Sequence, residues 1–136
     1  MTYETLARIH ARAMTVPAPW VAPTIEAFAT APGGFLVTID DGFALGRVIV
    51  DEAELMTIAV DPDARRKGHG RALLAAFEKT AAEKGARRAF LEVAETNAAA
   101  RGLYAQAGWQ ACGERPGYYR QDDGARIDAL LLQKTL

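Results

Sequence analysis

Between a strand-like run and an amphipathic helix lies the string Ala64-Arg65-Arg66-Lys67-Gly68-His69-Gly70-Arg71-Ala72. Its two glycines let the backbone turn tightly and come close to a ligand, exposing successive N–H donors. The helix that follows adds the positive end of its dipole. Arg65, Arg66, Lys67 and Arg71 raise the local potential further. Such a constellation suits an anion. A nucleoside-triphosphate loop needs Gly-x-x-x-x-Gly-Lys followed by Ser or Thr, and no such string occurs; a dinucleotide fingerprint needs Gly or Ala where Leu73 stands. Taken alone, the segment also reads as a solvated basic turn ahead of an ordinary helix.

Two other residue types could do proton chemistry. Glu92 interrupts the apolar run Arg88–Val93, on the same face as Phe90 and opposite Leu91 and Val93. A carboxylate there is costly unless paired or open to a cleft, and a salt bridge to Arg88 is the plain reading. Tyr104 lies on a helix, where a tyrosine usually packs its ring and leaves its hydroxyl at the surface. His10 falls on an apolar helix face and reads as a satisfied core group, and His69 as a donor of its backbone amide. With these two histidines far apart there is no zinc spacing, so no metal is expected. Cys112, the single cysteine, reads as a small buried hydrophobe; no internal disulfide can form. Trp20 and Trp109 read as packing residues.

The elements that must position these groups follow from periodicity and breakers. Leu6, Ile9, His10 and Ala13 predict a first helix over Glu4–Met14. A proline-rich loop follows, and Thr24 is expected to cap a short helix, Ile25–Thr30. Phe35–Ile39, Phe43–Val50 and Leu55–Val60 read as an antiparallel meander turning at Asp40-Asp41-Gly42 and Asp51–Glu54. Gly70–Lys84 is a helix with Leu73, Leu74, Phe77 and Ala81 on one face, stopped by Gly85. Strand Arg88–Val93 precedes a helix over Ala98–Ala107, capped by Asn97 and closed by Gly108. Trp109–Glu114 and Ile127–Leu132 form a last hairpin around a Gly117–Gly124 loop. This order implies an α/β fold with a mixed antiparallel and parallel sheet flanked by helices, in one domain over residues 1–136.

Composition bounds the possibilities. Half of the 136 residues are apolar and 24% charged, as in soluble globular proteins. A net charge of −1 argues against a nucleic-acid binder. No 18-residue apolar run occurs, so no membrane span is expected, and one free cysteine suits a cytoplasmic setting.

From Asp51 onward the chain resembles the bacterial ribosomal-protein-alanine N-acetyltransferases of the GNAT superfamily. The resemblance rests on Asp51-Glu52-Ala53-Glu54-Leu55, Ile58-Ala59-Val60-Asp61-Pro62-Asp63, the glycine loop, Leu91-Glu92-Val93, Asn97-Ala98-Ala99-Ala100, Leu103-Tyr104 and Tyr118-Tyr119, with Pro19-Trp20 extending it weakly. It implies acetyl-CoA held by Ile58, Ala59, Val60, Arg66, Lys67, Gly68, His69, Gly70, Arg71, Ala72, Asn97 and Tyr104. It further implies Glu92 as the base that deprotonates the amine and Tyr104 as the acid that protonates the departing thiolate. Tyr118 and Tyr119 would then help admit a peptide N-terminus, with a small-subunit ribosomal protein as partner. A monomer or weak dimer is expected. The first helix stands where that family has a preceding strand, so one sheet edge is expected to be missing or differently covered. Arg115-Pro116-Gly117 replaces a more basic, less constrained segment.

Elementary acid–base chemistry agrees with an N-terminal acceptor. An N-terminal amine of reference pKa near 8 is roughly one-tenth neutral at pH 7, whereas a lysine amine is neutral in about one molecule per several thousand. Transfer to a lysine or a small amine, or a non-catalytic acyl-CoA-binding module, are the competing expectations.

Overall fold

The computed structural model describes residues 1–14, 18–64 and 68–136. Helix α1 (Tyr3–Ala13) starts at Thr2, whose Oγ1 accepts from the Thr5 amide, and buries Leu6, Ile9 and His10. Helix α2 (Ala22–Thr30) begins earlier than expected: Pro23 occupies its first turn, and Thr24 does not cap it. Strands β1 (Gly34–Ile39), β2 (Gly42–Ile49) and β3 (Glu52–Val60) form the antiparallel meander. The second turn is tighter than the sequence suggests, with only Val50 and Asp51 outside the ladder. After a 3₁₀ turn at Pro62–Ala64 come α3 (His69–Glu83), β4 (Arg88–Ala94), α4 (Ala98–Gln106), β5 (Gln110–Arg120) and β6 (Arg126–Thr135). Among the described residues no helix is long and apolar enough to cross a membrane.

The six strands form one sheet in the order β1-β2-β3-β4-β6-β5, parallel only between β3 and β4. Among the described residues no strand precedes α1, and β1 is an edge that pairs only with β2. Alternation along the strands sends neighbours to opposite faces. Phe35 and Ala44 join α3 residues Leu74, Phe77 and Ala81, and α4 residue Tyr104, in the larger core. Leu36 and Phe43 face the other way, against Leu6 and Ile9 of α1 and Ile25 of α2. Helices therefore cover both faces, with α1 and α2 packed mainly on β1–β3.

The β3–β4 ladder is short, running from Glu52–Arg88 to Glu54–Phe90. Immediately beyond, the β2–β3 register steps from Gly46–Leu55 to Leu45–Thr57, so Met56 is a bulge residue. A bulge bends its strand and shifts its side-chain phase by one. Leu55 accordingly faces the α3 core while Thr57 turns to α1, where its hydroxyl meets His10 Nε2 at 2.8 Å. Past the bulge, the C-terminal half of β3 leaves β4, and the sheet splays open in its middle.

The final hairpin is longer than the sequence suggests. β5 carries irregularities between Ala111 and Gly113 and between Arg115 and Tyr119, and the second absorbs Pro116 and Gly117. Pro and Gly are tolerated in strands at such bulges. Tyr118 and Tyr119 thus end a strand instead of sitting in a loop. Cys112, expected to be buried, is exposed on this edge strand.

Candidate active site

Helix α3 begins at the glycine loop. Gly68 takes the left-handed conformation (φ 77°), and a Cβ built there would meet nothing within 4 Å. The first intrahelical bond runs from the Ala72 amide to the Gly68 carbonyl. The amides of His69, Gly70 and Arg71 therefore precede the helical ladder and have no intrahelical acceptor. They border a cleft of about 740 Å³, whose walls include Ile58–Val60 of β3, Asn97 and Leu103 near α4, and Tyr104. A cleft with a helix N-terminus at one end and an apolar wall along its length suits an anion carrying an extended chain.

Most of the expected binding residues meet here: Ile58, Ala59, Val60, Gly68, His69, Gly70, Arg71, Asn97 and Tyr104 all line this cleft. Arg66 and Lys67 lie outside the described residues. Ala72 does not line the cleft, its amide being spent on Gly68. Two side chains have additional work. Arg71 donates to Gln106 Oε1 at 2.8 Å, and Asn97 caps α4 by accepting from the Ala100 amide at 3.1 Å. The His69 ring sits beside Asp41, with Nδ1 4.0 Å from Oδ2, and that nitrogen is buried without a hydrogen bond among the described residues. Ala13 and Met14 from the end of α1, and Gln121 from the β5–β6 turn, complete the wall. Sequence reasoning missed them because each arrives from an element remote in the chain.

Tyr104 is 5% exposed, in the larger core, with its ring 6.1 Å from that of Trp109. Burial first, and then Tyr119, push its pKa above the ordinary phenol value, so the hydroxyl keeps its proton at neutral pH. Tyr119, half-buried, is pushed up to about 12 by burial and then by the charges of Glu92 and Tyr118, against Arg115.

Glu92 does not share the cleft with Tyr104. It projects from the opposite face of β4, as alternation requires, since Leu91 and Val93 pack in the Tyr104 core. There it lines a groove of about 670 Å³ running over Phe90 and Leu131 to the β2–β3 turn. Its partner is Arg115 of β5, Nε to Oε1 3.3 Å, and not Arg88, whose guanidinium lies over the Phe90 ring. Arg115 also lies 5.1 Å over the Tyr118 ring, which stands edge-on to Tyr119. A carboxylate on one face, a protonated phenol on the other, and a splayed sheet between them can pass a group between two molecules entering from opposite sides.

The sequence matches the Acetyltransferase (GNAT) family over residues 3–109. This chain belongs to the GNAT acetyltransferase family. The GNAT chain is 43% identical over 90 residues to the [ribosomal protein bS18]-alanine N-acetyltransferase of Escherichia coli (strain K12), a span covering 66% of this chain and 60% of that protein. It thus spans about 60% of the length of the curated relative it matches. The crystal structure of the ribosomal-protein-S18-alanine N-acetyltransferase from Escherichia coli superposes with a TM-score of 0.85 at 33% identity, over 98% of this GNAT chain and 86% of that one. An acetyltransferase structure from Salmonella typhimurium, solved with its cofactor acetyl-CoA, shares the fold at 20% identity with a TM-score of 0.79, over 98% and 88% of the two chains.

Proposed function

We propose that this chain transfers acetyl from acetyl-CoA to the N-terminal amine of a protein, with the N-terminal alanine of a small-subunit ribosomal protein as target. The observation that carries this reading is the split of the site: anion cradle and buried phenol in one cavity and carboxylate in another, on opposite faces of a sheet whose β3–β4 pairing stops at Glu54–Phe90. The names of the E. coli relatives support the choice of target.

The residues present fit acetyl-CoA. The Gly68–Arg71 amides would hold the pyrophosphate, and Gly68 leaves the approach clear because no side chain stands there. Beyond the bulge, β3 has lost its β4 partner, so Ile58–Val60 offer backbone donors and acceptors to an amide-bearing chain laid in the splay. Bound acetyl-CoA supplies an activated thioester.

Glu92 would take the proton from the attacking amine, directly or through a water, as the C–N bond forms and the C–S bond breaks. Arg115 holds that carboxylate over the groove from which the amine arrives. Tyr104 serves the departing sulfur. Its pKa is raised above the ordinary value near 10, whereas a thiol titrates near 8.5, so complete proton transfer from phenol to thiolate runs uphill. Its part is therefore a hydrogen bond to the developing thiolate, not a full protonation. Cys112 lines neither cavity, so transfer is direct and no cysteine ester forms. Such a target places the reaction in the cytoplasm.

Thiol release from acetyl-CoA, measured with an Ala-initiated basic peptide and with the same peptide blocked at its N-terminus, tests the reading. Release is expected only with the free N-terminus. Equal release with both would transfer the reading to a lysine side chain.

A further inference from the structure

The half of β3 beyond Met56 has lost one neighbour and must be held by something else. Its ladder with β4 stops at Glu54–Phe90, and from Thr57 to Val60 only β2 pairs with it. A half-strand with one open edge is ordinarily loose, because its free amides and carbonyls exchange with water. Thr57 and Ala59 are nevertheless buried. What covers them is α1: Ala59 packs with Leu6 and Ile9, and the Thr57 hydroxyl meets His10.

An apolar residue at position 10 would bury there without penalty, whereas a buried imidazole is tolerated only when both nitrogens are hydrogen-bonded. Both bonds are made. The Trp20 amide donates to Nδ1 at 2.9 Å, which leaves the proton on Nε2 to be given to Thr57 Oγ1 at 2.8 Å. Satisfied buried polar bonds are directional and select one arrangement where apolar packing would allow several. This one falls on the first residue past the bulge. Two residues on, Arg12 makes a second tie, with Nη1 2.8 Å from Asp61 and Nη2 2.9 Å from Asp63. Asp61 directly follows β3, and its other carboxylate oxygen accepts from the Asp63 amide at 3.0 Å. The two ties therefore bracket Ile58–Val60, the part of β3 that lines the cofactor cleft, and α1 itself ends in that cleft with Ala13 and Met14.

We propose that α1 is a splint for the free half of β3, with His10 and Arg12 as positioning residues that hold Ile58–Val60 where coenzyme A binds. Neither side chain lines the cleft, so each acts through the backbone that it fixes. The proposal rests on Ile58–Val60 meeting the cofactor, as in the function proposed above. It gives the first helix a task in donor binding.

Thr57→Val keeps the shape of the side chain and removes the hydroxyl. Asp61→Asn keeps the oxygen that accepts from the Asp63 amide and loses the one that accepts from Arg12. Removing a negative charge would by itself tighten the binding of an anion, so weaker binding by Asp61→Asn reports the lost tie. Thr2→Ala is the control, since it removes the α1 cap without touching β3. Calorimetry with coenzyme A alone, at a temperature where melts show each protein folded, reads the effect without any acceptor. Kd should rise about tenfold in Thr57→Val, as if the placed strand fell to roughly a tenth of the population, and about threefold in Asp61→Asn. His10→Gln, whose amide can still donate to Thr57, should bind coenzyme A more tightly than His10→Asn. A Kd for Thr57→Val within about twofold of the unchanged protein, or equal weakening by Thr2→Ala, overturns the proposal. Should Thr57→Val not fold, Asp61→Asn decides, and an unchanged or lower Kd overturns it. If the unchanged protein binds no coenzyme A, the proposed function fails, and amide exchange then decides the splint alone. Exchange at Ile58–Val60 should quicken at least about tenfold in Thr57→Val while β6 keeps its rate, and equal rates at Ile58–Val60 overturn the proposal.

Discussion

At the residue scale the proposed chemistry rests on two side chains held differently. Tyr104 is fixed by packing against Trp109, so Tyr104→Phe keeps the core and removes only the hydroxyl. It should lower kcat about a hundredfold, with the KM for acetyl-CoA changed less than about threefold. Steady-state kinetics checks this, and an unaltered kcat would mean that the thiolate departs unaided. His10 is buried among α1, the Trp20 segment and β3. The Trp20 amide can only donate, so it fixes Nδ1 as acceptor, and Nε2–H donates to Thr57. Desolvation lowers the His10 pKa from 6.5 to about 4. Above pH 6.5 the ring is neutral in both folded and unfolded chains. Between 6.5 and about 4 only the unfolded chain gains the proton, so folding stability should drop over that window by about 3 kcal/mol. Denaturant melts at stepped pH read the drop, and His10→Asn should abolish that part of it. The face on which Glu92 stands was legible from strand alternation. Its partner was not: Arg115 reaches it from β5, separated from β4 by β6, and only the tertiary pairing sets that distance.

Among the elements, a bulge and two helix starts shape the site. Met56 bulges where the β3–β4 ladder stops, and no local signal in Leu55–Val60 marks it, since this nearly continuous apolar run reads as an unbroken strand. The helix starts were plainer. Asn97 caps α4 as its sequence position suggests, and Asn97→Ala should cost about 1 kcal/mol by equilibrium unfolding, largely restored by Asn97→Asp. Gly68 must hold φ 77°; because space around it is open, Gly68→Ala should cost about 1 kcal/mol through backbone strain and not through a clash. Calorimetry with coenzyme A should also show weaker binding by that variant, because the methyl stands at the mouth of the cradle. Pro116 and Gly117 misled in the other direction, reading as loop residues where β5 takes them up in an irregularity. Cys112 lies in a strand as its position suggests, but that strand is the sheet edge, so the thiol is exposed and should react fully with a thiol reagent in the folded protein.

For the molecule as a whole, the larger consequence is that the two candidate catalytic residues line different cavities on opposite faces of one sheet. The meander, the crossover through α3 and the final hairpin were readable because each is a local pattern with clear punctuation. The opening in the middle of the sheet was not, because it depends on where a parallel pairing ends. If donor and acceptor enter from opposite faces as proposed, direct transfer needs both bound at once, so initial-rate plots should intersect, not run parallel. The central claim is most directly tested by mass spectrometry of an Ala-initiated peptide that also contains lysine, after incubation with the protein and acetyl-CoA. Fragmentation is predicted to place a single acetyl group on the α-amine, and Glu92→Gln should abolish most of that product. An acetyl group on the lysine side chain with the α-amine left free, or full activity without the Glu92 carboxylate, would contradict the account.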